Sequence, residues 1–113
     1  MLRMMVKQDL SRYDFSSVKR ITTAGEALNP EVCRKFLEAT GLKIFEGFGQ
    51  SETTMVIGNL AGAPHKLGSM GKDVPIYSVA LLNKDGNKVD VGEVGEICID
   101  VSNGSPCGLT TGY

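Results

Sequence analysis

Apolar positions recur at helical spacing in only one long stretch of the chain. In "PEVCRKFLEAT", residues 30–40, they place Cys33, Phe36 and Leu37 on one face with Val32 beside them. Asn29 before it suits an N-cap, Pro30 suits the first helical position, and Gly41 suits the stop. Two runs flank this helix. "VKRITTAG" reads as a short strand ending on a glycine, and "LKIFEGF" as a second strand. Strand, helix, strand over some thirty residues is one α/β unit, and it predicts parallel pairing. Residues 1–10 carry Met, Leu and Val unevenly and read as the end of a helix, with "SRYDFSS" a polar connection.

The pattern then changes. "AGAPHKLGSMGKDVP" is a long loop rich in Gly and Pro. "YSVALLN" reads as a strand, "KDGN" as a tight turn, "VDVGEVGE" as further turns and "ICIDV" as another strand. Such closely spaced turn signals predict antiparallel structure. The expected division falls near residue 65, with an α/β part over 1–65 and a mostly β part over 66–113. The ending "SNGSPCGLTTGY" brings no capping element, which would leave sheet edges unpaired. The expectation is a piece of a longer protein, or a chain that needs a partner.

Composition narrows the function classes. The 113 residues are 42% hydrophobic and 22% charged, as in an ordinary globular domain. A formal net charge of -1 gives no reason to expect nucleic acid or an anionic membrane surface as partner. No apolar run approaches the roughly 20 residues that span a bilayer. The first fifteen residues meet Lys7 and Asp9 too soon for a secretory signal. Cys33, Cys98 and Cys107 form no CxxC pair and read as reduced thiols of a cytoplasmic protein. Asn103-Gly104-Ser105 fits the glycosylation pattern but reads as an ordinary turn without an export signal.

Three glycine-bearing stretches compete as sites. "GSMGK", Gly68 to Lys72, lacks the spacing of a phosphate loop and reads as a surface loop. "AGE", Ala24 to Glu26, follows a strand, where open α/β sheets bind ligands. "EGFGQSETT", residues 46–54, follows the next strand and should share that edge. Gly47 and Gly49 permit close backbone approach to a ligand. Ser51 would cap a short helix starting at Glu52, whose N-terminus would favour phosphate. A hydroxyl beside a carboxylate suits a magnesium–nucleotide complex. Position alone leaves a plain connecting turn as the alternative for each stretch. His65 is the single histidine, so neither a catalytic triad nor a zinc site is indicated.

At this point the residues resemble a known family. "EGFGQSETT" resembles the Tyr-Gly-x-Thr-Glu motif of the adenylate-forming superfamily, which includes acyl-CoA synthetases, luciferases and peptide-synthetase adenylation domains. "TTAGEALNPEV" resembles its upstream adenine-side segment. "LGSMGKDVPIYSVALLNKDGNKVDVGEVGEICI" resembles its Gly-x-x-Gly-x-x-x-Pro stretch and following hairpin, and "GLTTGY" the Gly-Tyr ending of the next motif. The phrasing is most similar to acetyl- and medium-chain acyl-CoA synthetases. The fold this implies is an α/β piece of the superfamily's large N-terminal domain, running into antiparallel β from its β-barrel part.

The resemblance implies that a carboxylic acid attacks the α-phosphate of ATP, giving acyl-AMP and pyrophosphate, after which coenzyme A takes the acyl group. Gly25, Glu26 and Ala27 would line the adenine site, Ala27 standing where proline is frequent. Glu46, Gly47 and Phe48 would flank the adenine's other side, and Gly49 and Gln50 would lie by the acyl group and α-phosphate. Ser51, in place of the usual threonine, would bond the α-phosphate, and Glu52 would bind Mg2+. The family's phosphate loop, its ribose-binding aspartate and its C-terminal lysine lie outside this chain. Alone it is therefore expected to be inactive and to self-associate. The alternatives are an adenylation domain that loads a carrier protein, and a truncated, non-catalytic nucleotide-binding protein.

Overall fold

A computed structural model describes residues 1–112 of the chain. The expected helix is α2, Pro30–Thr40, placed as its local signals predict. Asn29 Oδ1 accepts from Glu31 N at 2.8 Å, and Gly41 takes φ 72° to close the last turn onto the Leu37 carbonyl. Val32, Cys33 and Phe36 are buried, whereas Leu37 is exposed. The apolar stripe is thus narrower than the spacing predicts. On the opposite face, Arg34 bridges Glu31 and Glu38, exposed pairs that add little stability. Residues 1–10 hold only one helical turn, α1, Leu2–Met5, followed by a 3-10 turn at Leu10–Arg12.

Four strands form the main sheet in chain order: β1, Ile21–Ala24; β2, Ile44–Gln50; β3, Thr54–Gly58; and β4, Lys72–Asp73. β1 and β2 are parallel, with α2 as their crossover, as the α/β reading requires. The pairs β2/β3 and β3/β4 are antiparallel. The sheet therefore runs through the loop around residue 65. A separate hairpin pairs β5, Val79–Leu82, with β6, Glu96–Ile99. "KDGN" turns as expected, with Asn83 N bonded to the Asn87 carbonyl at 2.8 Å and Gly86 at φ 80°.

One expectation is overturned. Ser51 caps no helix, because residues 51–53 are the turn of the β2–β3 hairpin. The cause lies just downstream, where Thr53, Thr54, Val56 and Ile57 are β-branched and favour the pleated strand over a helical turn. Thr53 closes the turn, accepting from Gln50 N at its hydroxyl (3.0 Å) and donating its own N–H to the Gln50 carbonyl (3.1 Å). No helix N-terminus is available here to attract phosphate.

Two small cores result. One gathers Leu10, Leu28, Val32, Cys33 and Ile44 around Phe36, which has no exposed surface. The other joins Val56, Val74 and Tyr77. Accessible surface is 8388 Å², against about 6000 Å² for a closed monomer of this mass. Val91, Val94 and Ile76 stand among the exposed apolar side chains. Among the described residues, no helix is long and apolar enough to cross a membrane.

Candidate nucleotide site

The parallel pairing aligns Thr23 with Glu46 and Ala24 with Gly47, so the two strands deliver "AGE" and "EGFGQ" to one edge. Between them opens a cavity of about 460 Å³ lined by Gly25, Glu26, Ala27, Glu46, Gly47, Phe48, Gly49, Gln50 and Met70. Eight of the residues that the resemblance assigns to the nucleotide thus converge from two separate segments. Ser51 and Glu52 lie just beyond, Ser51 exposed and Glu52 half-buried in the hairpin turn.

Glu46 fixes the cavity's shape. Its side chain is 9% exposed, and Oε1 accepts from Leu28 N at 2.9 Å, tying the end of the 25–28 loop to β2. A buried carboxylate is stable only when such donors replace water. Gly25 makes the turn at φ 91°, a backbone state that a Cβ disfavours. Gly49 is required by crowding, since a Cβ there would lie 1.8 Å from the Thr54 carbonyl oxygen, across the bulge between Phe48 and Gly49. Nearby, burial pushes the Cys33 thiol above its usual pKa, and the Glu46 charge adds to the shift.

Met70 is the lining residue that sequence reasoning missed. "GSMGK" lies at the surface, as expected, but it is tied to its neighbours. Asn59 Nδ2 donates to the Ser69 carbonyl at 2.8 Å, and Asn59 N donates to the Glu46 carbonyl at 2.9 Å. Gly71, at φ 101°, packs so closely that a Cβ would lie 2.1 Å from the Gly58 carbonyl oxygen. The two glycines around Ser69-Met70 were the available signal, but Gly68 packs on Pro30 of α2 and Gly71 on Gly58 of β3, both more than ten residues away. A second cavity, about 380 Å³, also reaches Glu46 and Gly47 and is lined by Arg20, Phe45, Met55 and Asn59 among others. The Arg20 guanidinium there sits 5.3 Å from the Phe45 ring centre.

Among the described residues no group of three or more His, Cys, Asp or Glu side chains gathers to hold a metal. A single carboxylate at Glu52 still fits magnesium carried on nucleotide phosphates, because that ion keeps waters and phosphate oxygens as its other ligands.

The family model described as AMP-binding enzyme matches residues 1–113. Mitochondrial acyl-coenzyme A synthetase ACSM3 of Mus musculus is 43% identical over 111 residues, covering 98% of this chain and 19% of that protein. Its relative ACSM5 of Rattus norvegicus is 41% identical over 113 residues, covering 100% of this chain and 20% of that protein. Among solved structures, the acyl-CoA synthetase of Brucella canis superposes with a TM-score of 0.83 at 36% identity, covering 99% of this chain and 21% of that one. The anthranilate CoA ligase AuaEII, in complex with anthranoyl-AMP, gives 0.77 at 32% identity over 87% of this chain and 19% of that one. The chain spans about a fifth of the length of the curated relatives it matches.

Proposed function

The chain belongs to the AMP-binding enzyme family, and on that premise we propose that it forms the adenylate-binding edge of an ATP-dependent acyl-CoA synthetase. The observation that carries this reading is the convergence of residues 25–27 and 46–50 on one cavity at the carboxyl ends of two parallel strands. Adenine fits between the backbone of the 25–27 loop and the Gly47–Phe48 strand. Gly49 and Gln50 lie toward the acyl and α-phosphate groups, and the Ser51 hydroxyl donates to an α-phosphate oxygen. Glu52 supplies the carboxylate for magnesium, which neutralises charge on the phosphates when bound.

In the reaction, a carboxylate oxygen bonds to the α-phosphorus as the bond to pyrophosphate breaks. The thiol of coenzyme A then attacks the acyl carbonyl, and AMP leaves. This chemistry asks the protein mainly for fixed positions and fixed donors, which a strand edge with a hydrogen-bonded loop provides. The names of the relatives favour an acyl, fatty acid-type substrate. The anthranoyl adenylate in one neighbour supports an acyl-AMP intermediate. For location, relatives named as mitochondrial stand beside the cytoplasmic expectation. We place the three free thiols in a thiol-reducing compartment, whether the cytoplasm or an organelle matrix.

The test is acid-dependent ATP–pyrophosphate exchange by the full-length protein over short, medium and aromatic carboxylates. Exchange should follow a fatty acid and fall at least tenfold in Glu52→Gln, the loss of one charge-assisted ligand interaction of about 1.5–3 kcal/mol. The isolated 113-residue chain should give none. Absence of exchange with every acid in the full-length protein would overturn the reading.

A further inference from the structure

Ser51 and Glu52 sit on a turn that the rest of its own hairpin does not fully secure. Thr54, which follows it at the start of β3, holds φ 58°, a left-handed conformation that a β-branched side chain strongly disfavours. Such strain persists only where the surroundings enforce it. The enforcement comes from the second half of the chain. Tyr77, 3% exposed, donates its hydroxyl to the Thr53 carbonyl and shares a 3.1 Å hydrogen bond with Thr54 Oγ1. Thr110 N donates to the Glu52 carbonyl at 2.7 Å. Gly108 lies so close that a Cβ would stand 3.0 Å from both the Tyr77 hydroxyl and Thr54 Oγ1. The Glu52 and Thr53 carbonyls and the Thr54 hydroxyl therefore find partners beyond residue 76, while the Thr53 N–H and hydroxyl bond within the hairpin.

We propose that Tyr77 is a positioning residue for the Ser51–Glu52 turn, fixing where the hydroxyl and carboxylate meet the nucleotide phosphates. The proposal rests on the adenylation reading, with Tyr77 touching neither substrate nor metal. Its phenol has one donor and two acceptor sites, and the turn uses the donor and one acceptor. Tyr77→Phe removes both contacts and leaves the Thr53 carbonyl facing an apolar ring edge. The ring's packing against Val56 and Val74 is retained. Without the clamp, Thr54 relaxes toward an extended φ and carries Glu52 away from the phosphate position.

The experiment compares full-length wild type, Tyr77→Phe and Val74→Ala by two readouts. Val74→Ala removes volume from the same core but no polar partner of the turn. The first readout is the KM for magnesium–ATP in pyrophosphate exchange, set against the KM for the acid. The second is amide hydrogen exchange over residues 50–54 without ligand. Tyr77→Phe should raise the magnesium–ATP KM about fivefold or more, as expected from its two lost hydrogen bonds, with the acid KM within twofold of wild type. It should also speed amide exchange over the turn by a similar factor, while Val74→Ala does neither. Equal effects of the two substitutions, or an unchanged magnesium–ATP KM in Tyr77→Phe, would overturn the proposal. A wild type that exchanges no pyrophosphate would fail the adenylation reading and the phosphate role together. Unchanged amide exchange in Tyr77→Phe would overturn the clamp whatever the wild type catalyses.

Discussion

Replacing Glu46 tests how the cavity is held open. The Leu28 N–H to Glu46 Oε1 bond, 2.9 Å and buried, links residues eighteen apart. It joins the loop that walls one side of the cavity to the strand that forms the other. Glu46→Ala removes the acceptor and strands a backbone donor whose residue is 6% exposed. A hydrogen bond to a charged partner is worth about 1.5–3 kcal/mol, and a buried unsatisfied donor costs a similar amount. In local free-energy terms, that is roughly 10- to 150-fold faster amide exchange at Leu28. Glu46→Gln keeps an oxygen at the same reach and loses only the charge, about 1 kcal/mol or roughly fivefold. The assay is hydrogen–deuterium exchange of the full-length protein, read over residues 25–29, alongside AMP binding by calorimetry. Affinity should follow the same order, wild type above Gln above Ala, because the loop forms one wall of the cavity. Leu28 exchange that is unchanged in Glu46→Ala, or as fast in Gln as in Ala, would refute the reasoning that this carboxylate latches the loop.

Gly49→Ala should disrupt the β2–β3 hairpin, because its Cβ would meet the Thr54 carbonyl oxygen and carbon at 1.8 and 2.7 Å. Both are backbone atoms that no rotamer change can move, so the cost should be at least the 1–3 kcal/mol typical of overpacking, at about tenfold or more faster amide exchange across β3; wild-type exchange rates would contradict it. The three thiols should separate in iodoacetamide labelling followed by mass spectrometry, with exposed Cys107 first, half-buried Cys98 next and Cys33 last. Only the thiolate reacts, and burial together with the Glu46 charge raises the Cys33 pKa above the ordinary thiol range. Native-state labelling of Cys33 as fast as Cys107 would count against the burial argument.

Sequence reading succeeded where the deciding interactions are short-range. Helix α2 was legible because its cap bond spans two residues, its closing glycine four, and its buried face repeats within three turns. The strand–helix–strand order then determined β1/β2 pairing, since a crossover of that length almost always packs parallel. Leu37 was misplaced because only a narrow stripe of α2 meets the small core around Phe36. Met70 was unreadable, because its loop is seated by a bond from Asn59, just past β3, and by the close packing of Gly71 on Gly58. The eight cavity residues were named through the family's motifs, not through periodicity, which left "EGFGQSETT" open between a ligand site and a polar turn.

The failed helix at Ser51 shows which force decides the site. A serine followed by a glutamate is a genuine local cap signal, worth about 1 kcal/mol. Against it stand the ladder bonds of β2 with β3 and the burial of Val56 at 1% exposure and Val74 at 5%, each side chain contributing about 1.5–3 kcal/mol when fully buried. Pairing and burial outweigh the cap, so the turn is a hairpin turn, and its strained Thr54 has to be held from outside by Tyr77 and Thr110. The phosphate recognition proposed for this edge therefore has no helix N-terminus to draw on. Under the proposed function it would rest on where the Ser51 hydroxyl and Glu52 carboxylate are placed, on a turn bonded both to β2 and to residues beyond 76. The turn and the second half of the chain are therefore joined by hydrogen bonds, from the Tyr77 hydroxyl to Thr53 and Thr54 and from Thr110 N to the Glu52 carbonyl.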